Sequence, residues 1–234
     1  MIASTDPDCS AEAAPPAKLR AVELYGPAGR LEALLNEGSA VARFAALVCH
    51  PHPKGGGSMH NKVVYHATKV LNGRTWGFSM PVLRFNFRGT GLSQGVHDGK
   101  LESEDVLAAM AWLENEYKLP LVVAGFSFGA AMALKACCGV ESHQPVQALV
   151  ALGLPTQAEG RSYSYRFLAD CTLPKIFISG DHDQYAPAMQ LAHVVESVAQ
   201  PKRLVLVSGA DHFFTNQLRP MQEALGAWLQ EQLL

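Results

Sequence analysis

Charge is scarce in this chain. Only 17% of its 234 residues are Asp, Glu, Lys or Arg, and the formal net charge is −2. No run of lysine and arginine occurs, which argues against a general nucleic-acid surface. No uninterrupted apolar stretch approaches the ~20 residues of a membrane-spanning helix. Met1 to Lys18 lacks the basic start and apolar core of a secretory leader. This stretch is rich in Ala, Pro, Ser and Asp, so residues 1–19 are expected to be a disordered tail and 20–234 a single domain. Cysteine is sparse and odd in number: Cys9, Cys49, Cys137, Cys138 and Cys171. No CxxC or zinc spacing links them, and most fall in predicted core elements, where the thiol acts as a small hydrophobe. The expectation is a reduced, cytoplasmic protein with no nucleic-acid or membrane partner. Nine histidines raise a metal site, but no HExxH or comparable spacing supports one, and no metal or cofactor is expected. The Gly55-Gly56-Gly57 run is not a phosphate loop, because no Gly-Lys-Ser/Thr follows at the required spacing.

The chain does hold a 48% hydrophobic content arranged in alternating patterns. Residues 21–25 and 31–35 read as a hairpin around Gly26-Pro27-Ala28-Gly29. A continuous apolar run at 44–49 reads as a strand covered on both faces, and 82–87, 121–124, 146–152, 175–179 and 203–207 read as further strands. Between them, helical periods cover 60–72, 102–117, 188–199 and 217–234, with a further helix after Gly129. Residues 156–170 have no strong period and are a candidate excursion over the site. Such alternation predicts an α/β fold. Its sheet is mostly parallel, of about eight strands, flanked by helices on both faces, with the hairpin as an antiparallel edge.

Gly125-Phe126-Ser127-Phe128-Gly129 stands at the centre of that pattern. A β-branched run enters it and a small-residue helical run leaves it, which is the setting of a nucleophile elbow. A serine on such a strand-to-helix turn has its hydroxyl pushed outward. A Cβ at either glycine would collide with the neighbouring strand or helix. The new helix also aims free N–H groups at developing negative charge.

Ligands on such sheets sit beyond the carboxyl ends of the strands, and every polar cluster of this chain lies at one. Ser127 needs a base, for which His212 is the choice. It follows the last strand in a glycine-containing loop that can swing the ring over the sheet. The base needs a carboxylate to fix its tautomer. Asp183 is the choice for that role, with Asp181 its rival. Asp211 is weaker, since a side chain rarely meets its neighbour's ring in the needed orientation. Phe128 N–H, just past the nucleophile, is one expected oxyanion donor, and the His50-Pro51-His52-Pro53 loop is expected to supply another. Met59, Tyr163 and Phe213 are expected on the substrate pocket wall. Arg88 is expected to tie loops together.

These residues together resemble the α/β-hydrolase superfamily. Gly125 to Ala130, Gly180-x-x-Asp183 and Gly209-Ala210-Asp211-His212-Phe213 stand at the corresponding strand ends. Cys49-His50-Pro51-His52-Pro53 with Gly55 to Met59, followed by Arg84 to Gly91, is similar to a narrower group, the small lidless dienelactone-hydrolase-like bacterial serine esterases. The resemblance covers residues 20–234 and implies an α/β-hydrolase fold with no large lid. It implies hydrolysis of small or short-acyl carboxylic esters through an acyl-enzyme, without a cofactor, by a monomer or homodimer. The superfamily position of the second oxyanion donor falls between two prolines, which have no N–H, and so on His52. Dienelactone hydrolases proper carry cysteine at the elbow, and Ser127 here favours a general esterase. A thioesterase or acyl-peptide hydrolase uses the same triad. A non-catalytic binding protein on the same scaffold would lack a triad member, and none is missing.

Overall fold

The computed structural model describes residues 18–139, 145–158 and 161–234. Nearly all of the expected tail, and His143, lie outside the described residues. In chain order the elements are β1 (Leu19–Gly26), β2 (Gly29–Asn36), β3 (Ala45–Cys49), α1 (Lys62–Leu71), β4 (Val82–Phe85), α2 (Glu102–Tyr117), β5 (Leu121–Phe126) and α3 (Phe128–Cys138). They continue with β6 (Val146–Leu152), β7 (Gln157–Ala158), β8 (Arg161–Ser162), β9 (Lys175–Gly180), α4 (Ala188–Glu196), β10 (Lys202–Val207) and α5 (Leu218–Leu233).

Eight strands form one sheet in the order β1-β2-β4-β3-β5-β6-β9-β10. All pairs from β4 to β10 are parallel. The hairpin pairs antiparallel within itself and onto β4, as the sequence pattern predicts. Alternation within the apolar strands builds two cores. Leu47, Cys49, Leu121, Val123 and Phe177 face one layer with Val106, Met110 and Leu134 of α2 and α3. Val48, Val122, Ala124, Ile176 and Ile178 face the other with Val64, Leu225 and Leu229 of α1 and α5. A strand with both faces covered has no polar face to show, which is why these runs read as continuous hydrophobes.

Strand order also places the site. From β3 the chain crosses to β4 on one side, then returns to β5 on the other. The loops leaving β3 and β5 therefore diverge and open a crevice at their carboxyl ends, the topological switch point of an open α/β sheet.

Boundaries shift where local hydrogen bonds intervene. Helix α1 begins at Lys62 because the Asn61 side chain caps Val63 N–H at 2.9 Å. Helix α4 stops at Glu196, short of the expected 199. Ala199 N–H is drawn off to the Leu168 carbonyl at 3.0 Å. The expectation of reduced cysteines throughout is corrected. Cys138, at the end of α3, is bonded to Cys171, 33 residues on, with Cα atoms 5.4 Å apart. The segment after β8 folds back over α3 and brings the two together, a pairing that spacing alone does not reveal. Cys49 and Cys137 are free and buried, and burial pushes both thiols up, Cys137 to about 12.

Candidate active site

Ser127 sits between the end of β5 and the start of α3 with φ 54° and ψ −120°. A positive φ is costly for a residue with a Cβ. The turn is locked from both sides. Ser127 N–H donates to the Leu152 carbonyl at 2.8 Å, and its own carbonyl accepts from Ala130 and Ala131. A Cβ on Gly125 would strike the Gly129 carbonyl, and one on Gly129 would strike the backbone of Cys49 and His50. The two glycines let β5, α3 and the β3 loop close around the serine.

Ser127 Oγ lies 2.9 Å from His212 Nε2. His212 Nδ1 lies 2.8 Å from Asp183 Oδ2. Asp183 is buried and accepts three further bonds: Ser179 Oγ at 2.9 Å, Tyr185 N–H at 2.8 Å and Ala186 N–H at 3.0 Å. Its plane is therefore fixed independently of the histidine. A carboxylate accepts only, so His212 carries its proton on Nδ1. The bare Nε2 then accepts from the serine hydroxyl. Phe126 and Tyr185 pack on the imidazole, with centroids at 5.0 and 4.7 Å. Gly153, at φ 52°, leaves the space in which the ring stands. The rival carboxylates are occupied elsewhere. Asp181 accepts Gly209 N–H at 2.8 Å, and Asp211 accepts Phe213 and Thr215 N–H groups.

The loop leaving β3 faces the serine. Phe128 is the first residue of α3, so its N–H has no acceptor within the helix. His52 N–H has no acceptor among the described residues, whereas Lys54 N–H is taken by His52 Nδ1 at 3.1 Å. The Pro51–His52 peptide is gripped by its carbonyl. The wholly buried His50 has Nδ1 2.6 Å from Pro51 O and accepts Phe87 N–H on Nε2 at 3.0 Å. That acceptor role leaves the proton on Nδ1, so His50 donates to Pro51 O. Gly57 lies flat against the same peptide, where any Cβ would overlap Pro51 O. Holding the carbonyl of a trans peptide also fixes the direction of its N–H.

A second histidine supports this loop. Because His52 Nδ1 accepts, its Nε2 carries the proton and donates to His97 Nε2 at 3.2 Å. His97 Nδ1 faces Glu102 Oε1 at 2.5 Å, and Glu102 is wholly buried. Burial first, then the charges of Arg161, His97 and Lys54, pushes His52 down to about 4. Burial also pushes His50 down from 6.5 to about 4.

A stability prediction follows for His50. Between pH ~6.5 and ~4 the unfolded imidazole binds a proton that the folded one refuses, so stability falls as pH falls through that window, by roughly 3 kcal/mol when complete. Urea unfolding of His50→Gln should show lower stability at pH 7 and a shallower decline towards pH 4.5 than the parent. Parallel curves would mean that His50 is not held neutral.

Two adjoining cavities meet at this loop, of about 350 Å³ over Ser127 and about 490 Å³ beyond His52. Of the residues expected on the wall, Tyr163 lines both and Phe213 lines the one over Ser127. Met59 is corrected. It is 1% exposed and lines neither cavity, because its backbone is clasped by the Asn86 and Arg84 side chains, which turns its side chain into the core. The 156–170 excursion forms the β7–β8 ribbon and a short turn, and brings Ala158, Arg161 and Tyr163 to the cleft. Arg88 pairs with the buried Asp105 at 2.7 Å and with Glu104 at 3.2 Å, tying its loop to α2. Sequence reasoning missed His50, His97 and Glu102 as supports of the loop. No local signal marks them, because the contacts that join them to the site, His50 to Phe87 and His97 to His52, span 37 and 45 residues. Among the described residues no group of three or more His, Cys, Asp or Glu side chains is arranged to hold a metal ion, and no helix is long and apolar enough to cross a membrane.

A family model described as an alpha/beta hydrolase domain matches residues 46–230. Over 214 residues the chain is 35% identical to an uncharacterised protein of Rickettsia prowazekii, covering 87% of this chain and 86% of that one. A solved structure from Xanthomonas campestris, described as an α/β serine hydrolase without a lid, is 31% identical with a TM-score of 0.78. It covers 92% of this chain and 95% of its own. An α/β serine hydrolase homologue from Coxiella burnetii is 33% identical with a TM-score of 0.79, covering 90% and 97%.

Proposed function

The chain belongs to the alpha/beta hydrolase domain family, and from that premise we propose that it cleaves small carboxylic esters through an acyl-enzyme on Ser127. One observation carries the reading: a serine held at positive φ, 2.9 Å from an imidazole whose other nitrogen meets a buried carboxylate. Ser127 Oγ attacks the ester carbonyl while His212 Nε2 takes the hydroxyl proton. Asp183 stabilises the imidazolium through Nδ1–H. The tetrahedral oxyanion accepts from Phe128 and His52 N–H groups, which need no reorganisation. The C–O bond to the leaving group breaks as His212 returns its proton to the departing alcohol. Water then attacks the acyl-enzyme with His212 again as base, releasing the acid and restoring the serine. The cavity of about 350 Å³ over Ser127 suits a short acyl chain.

Labelling with a fluorophosphonate and a panel of p-nitrophenyl esters of rising acyl length, with thioesters alongside, tests the reading. Modification of Ser127 and fastest turnover of short esters are expected. An unlabelled serine and no turnover of any ester would end it.

The oxyanion assignment has its own test. His52 has φ −57°, close to the angle a proline ring imposes. His52→Pro therefore removes the N–H without redirecting its φ, and kcat should fall roughly 10²–10³-fold beyond the loss seen in His52→Ala, which keeps the N–H. The alanine variant corrects for the lost imidazole contacts to Lys54 and His97. Equal activity in the two variants would move the donor elsewhere.

A further inference from the structure

Resting on the ester-hydrolase reading, we infer that the natural substrate carries an anionic group, a carboxylate or phosphate, remote from the scissile bond, and that Lys54 and Arg161 receive it. The cleft is basic in a chain whose net charge is −2. Lys54 and Arg161 line both cavities, and Lys100 and Lys135 line the outer one. Among the described residues no acidic side chain lines the cavity over Ser127. Among the described residues Asp98 is the single acid of the outer one, and its carboxylate is engaged by Lys100 and Leu101 N–H groups. Among the described residues none of the four cations has a carboxylate partner within ion-pair distance. Lys135 Nζ is anchored on the Lys100 carbonyl at 2.8 Å, so its charge is held at the cavity edge.

Surface cations ordinarily point into solvent and cost nothing unpaired. Here four of them converge on a concavity continuous with the nucleophile, where low-dielectric walls focus their field. His52, between the two cavities, is pushed down first by burial and then by the charges of Arg161 and Lys54, among others. A neutral ester makes no use of this arrangement. An anionic ester gains charge-assisted hydrogen bonds from Arg161 and Lys54 while its carbonyl reaches Ser127.

Matched pairs test the inference. One arm compares mono-p-nitrophenyl glutarate with p-nitrophenyl valerate, placing a carboxylate on the acyl side. The other compares acetyl glycerol phosphate with acetyl glycerol, placing a phosphate on the alcohol side. In at least one arm kcat/KM should favour the anion by about tenfold or more, the value of one charge-assisted contact. The preference should shrink in Arg161→Gln and Lys54→Gln and at high salt. A ratio near one in both arms, with neutral esters still turned over in a Ser127-dependent way, overturns the inference and leaves the hydrolase reading standing. Calorimetry on Ser127→Ala with monomethyl glutarate against methyl valerate reads the same preference without turnover, so loss of the catalytic reading is told apart from loss of this one.

Discussion

On the proposed reading, Ser127→Ala is expected to reduce ester turnover to what binding and oxyanion contacts alone supply, a drop of roughly 10⁴–10⁶ in kcat. The fold is expected to persist for a local reason. Alanine carries the same Cβ as serine, so the cost of φ 54° is unchanged. Among the described residues the only side-chain bond lost is the one to His212 Nε2. Helix α3 keeps its start, because the Ser127 carbonyl still accepts from Ala130 and Ala131. The measurement is kcat/KM on a short p-nitrophenyl ester beside a thermal melt and fluorophosphonate labelling. Near-parental turnover in a folded variant would show that the nucleophile lies elsewhere.

Asp183→Asn should reduce kcat by about 10⁴-fold with KM changed little. Tyr185 and Ala186 N–H groups hold one oxygen of the side chain, so in the variant the amide oxygen occupies that place and the amide nitrogen faces His212. A donor opposite Nδ1 drives the ring to the tautomer with its proton on Nε2. That nitrogen then cannot accept the serine proton. The effect falls on the chemical step because the carboxylate touches no substrate. Asp181→Asn is the control. Asp181 is half-buried and accepts Gly209 N–H, with His182 Nδ1 3.8 Å away; the amide oxygen of asparagine retains the Gly209 bond, so activity should stay near the parent's. A larger loss in Asp181→Asn, with the fold intact, would reverse the assignment of the two acids.

Several features of this molecule were legible along the chain because their causes are local. The Gly125-Ser127-Gly129 spacing records a collision that a Cβ would make within the turn itself or with the strand alongside. The acids and apolar period of 102–117 mark a helix with those very ends. Continuous apolar runs mark strands with two covered faces, and their alternation with helices leads to a parallel sheet with few other arrangements open to it. Strand-end position narrowed the chemistry to Ser127, His212 and one of three aspartates.

Choosing among those aspartates was the limit of what order along the chain conveys. Asp183 meets His212 across 29 residues because β9 and β10 are neighbours in the sheet. Asp181 and Asp211 are drawn away by backbone N–H groups. Met59 shows the same limit from the other side. An apolar residue beside a glycine loop reads equally as wall or core, and the Asn86 and Arg84 side chains, 27 and 25 residues away, turn it inward. His97, backed by Glu102, reaches His52 only because the loops leaving β3 and β4 come together at one edge of the crevice. Cys138 and Cys171 meet only when the segment after β8 folds over α3. The basic cleft likewise gathers cations from four separate segments, none of them a basic run in sequence. The sequence by itself determined most of the elements, the fold class and the strand-to-helix turn that carries Ser127, since dihedral preference, periodicity and steric exclusion act within a few residues. The tertiary structure alone decided which acid faces the base, what holds the oxyanion loop and what charge lines the cleft, because those contacts form between segments that only the sheet order brings together.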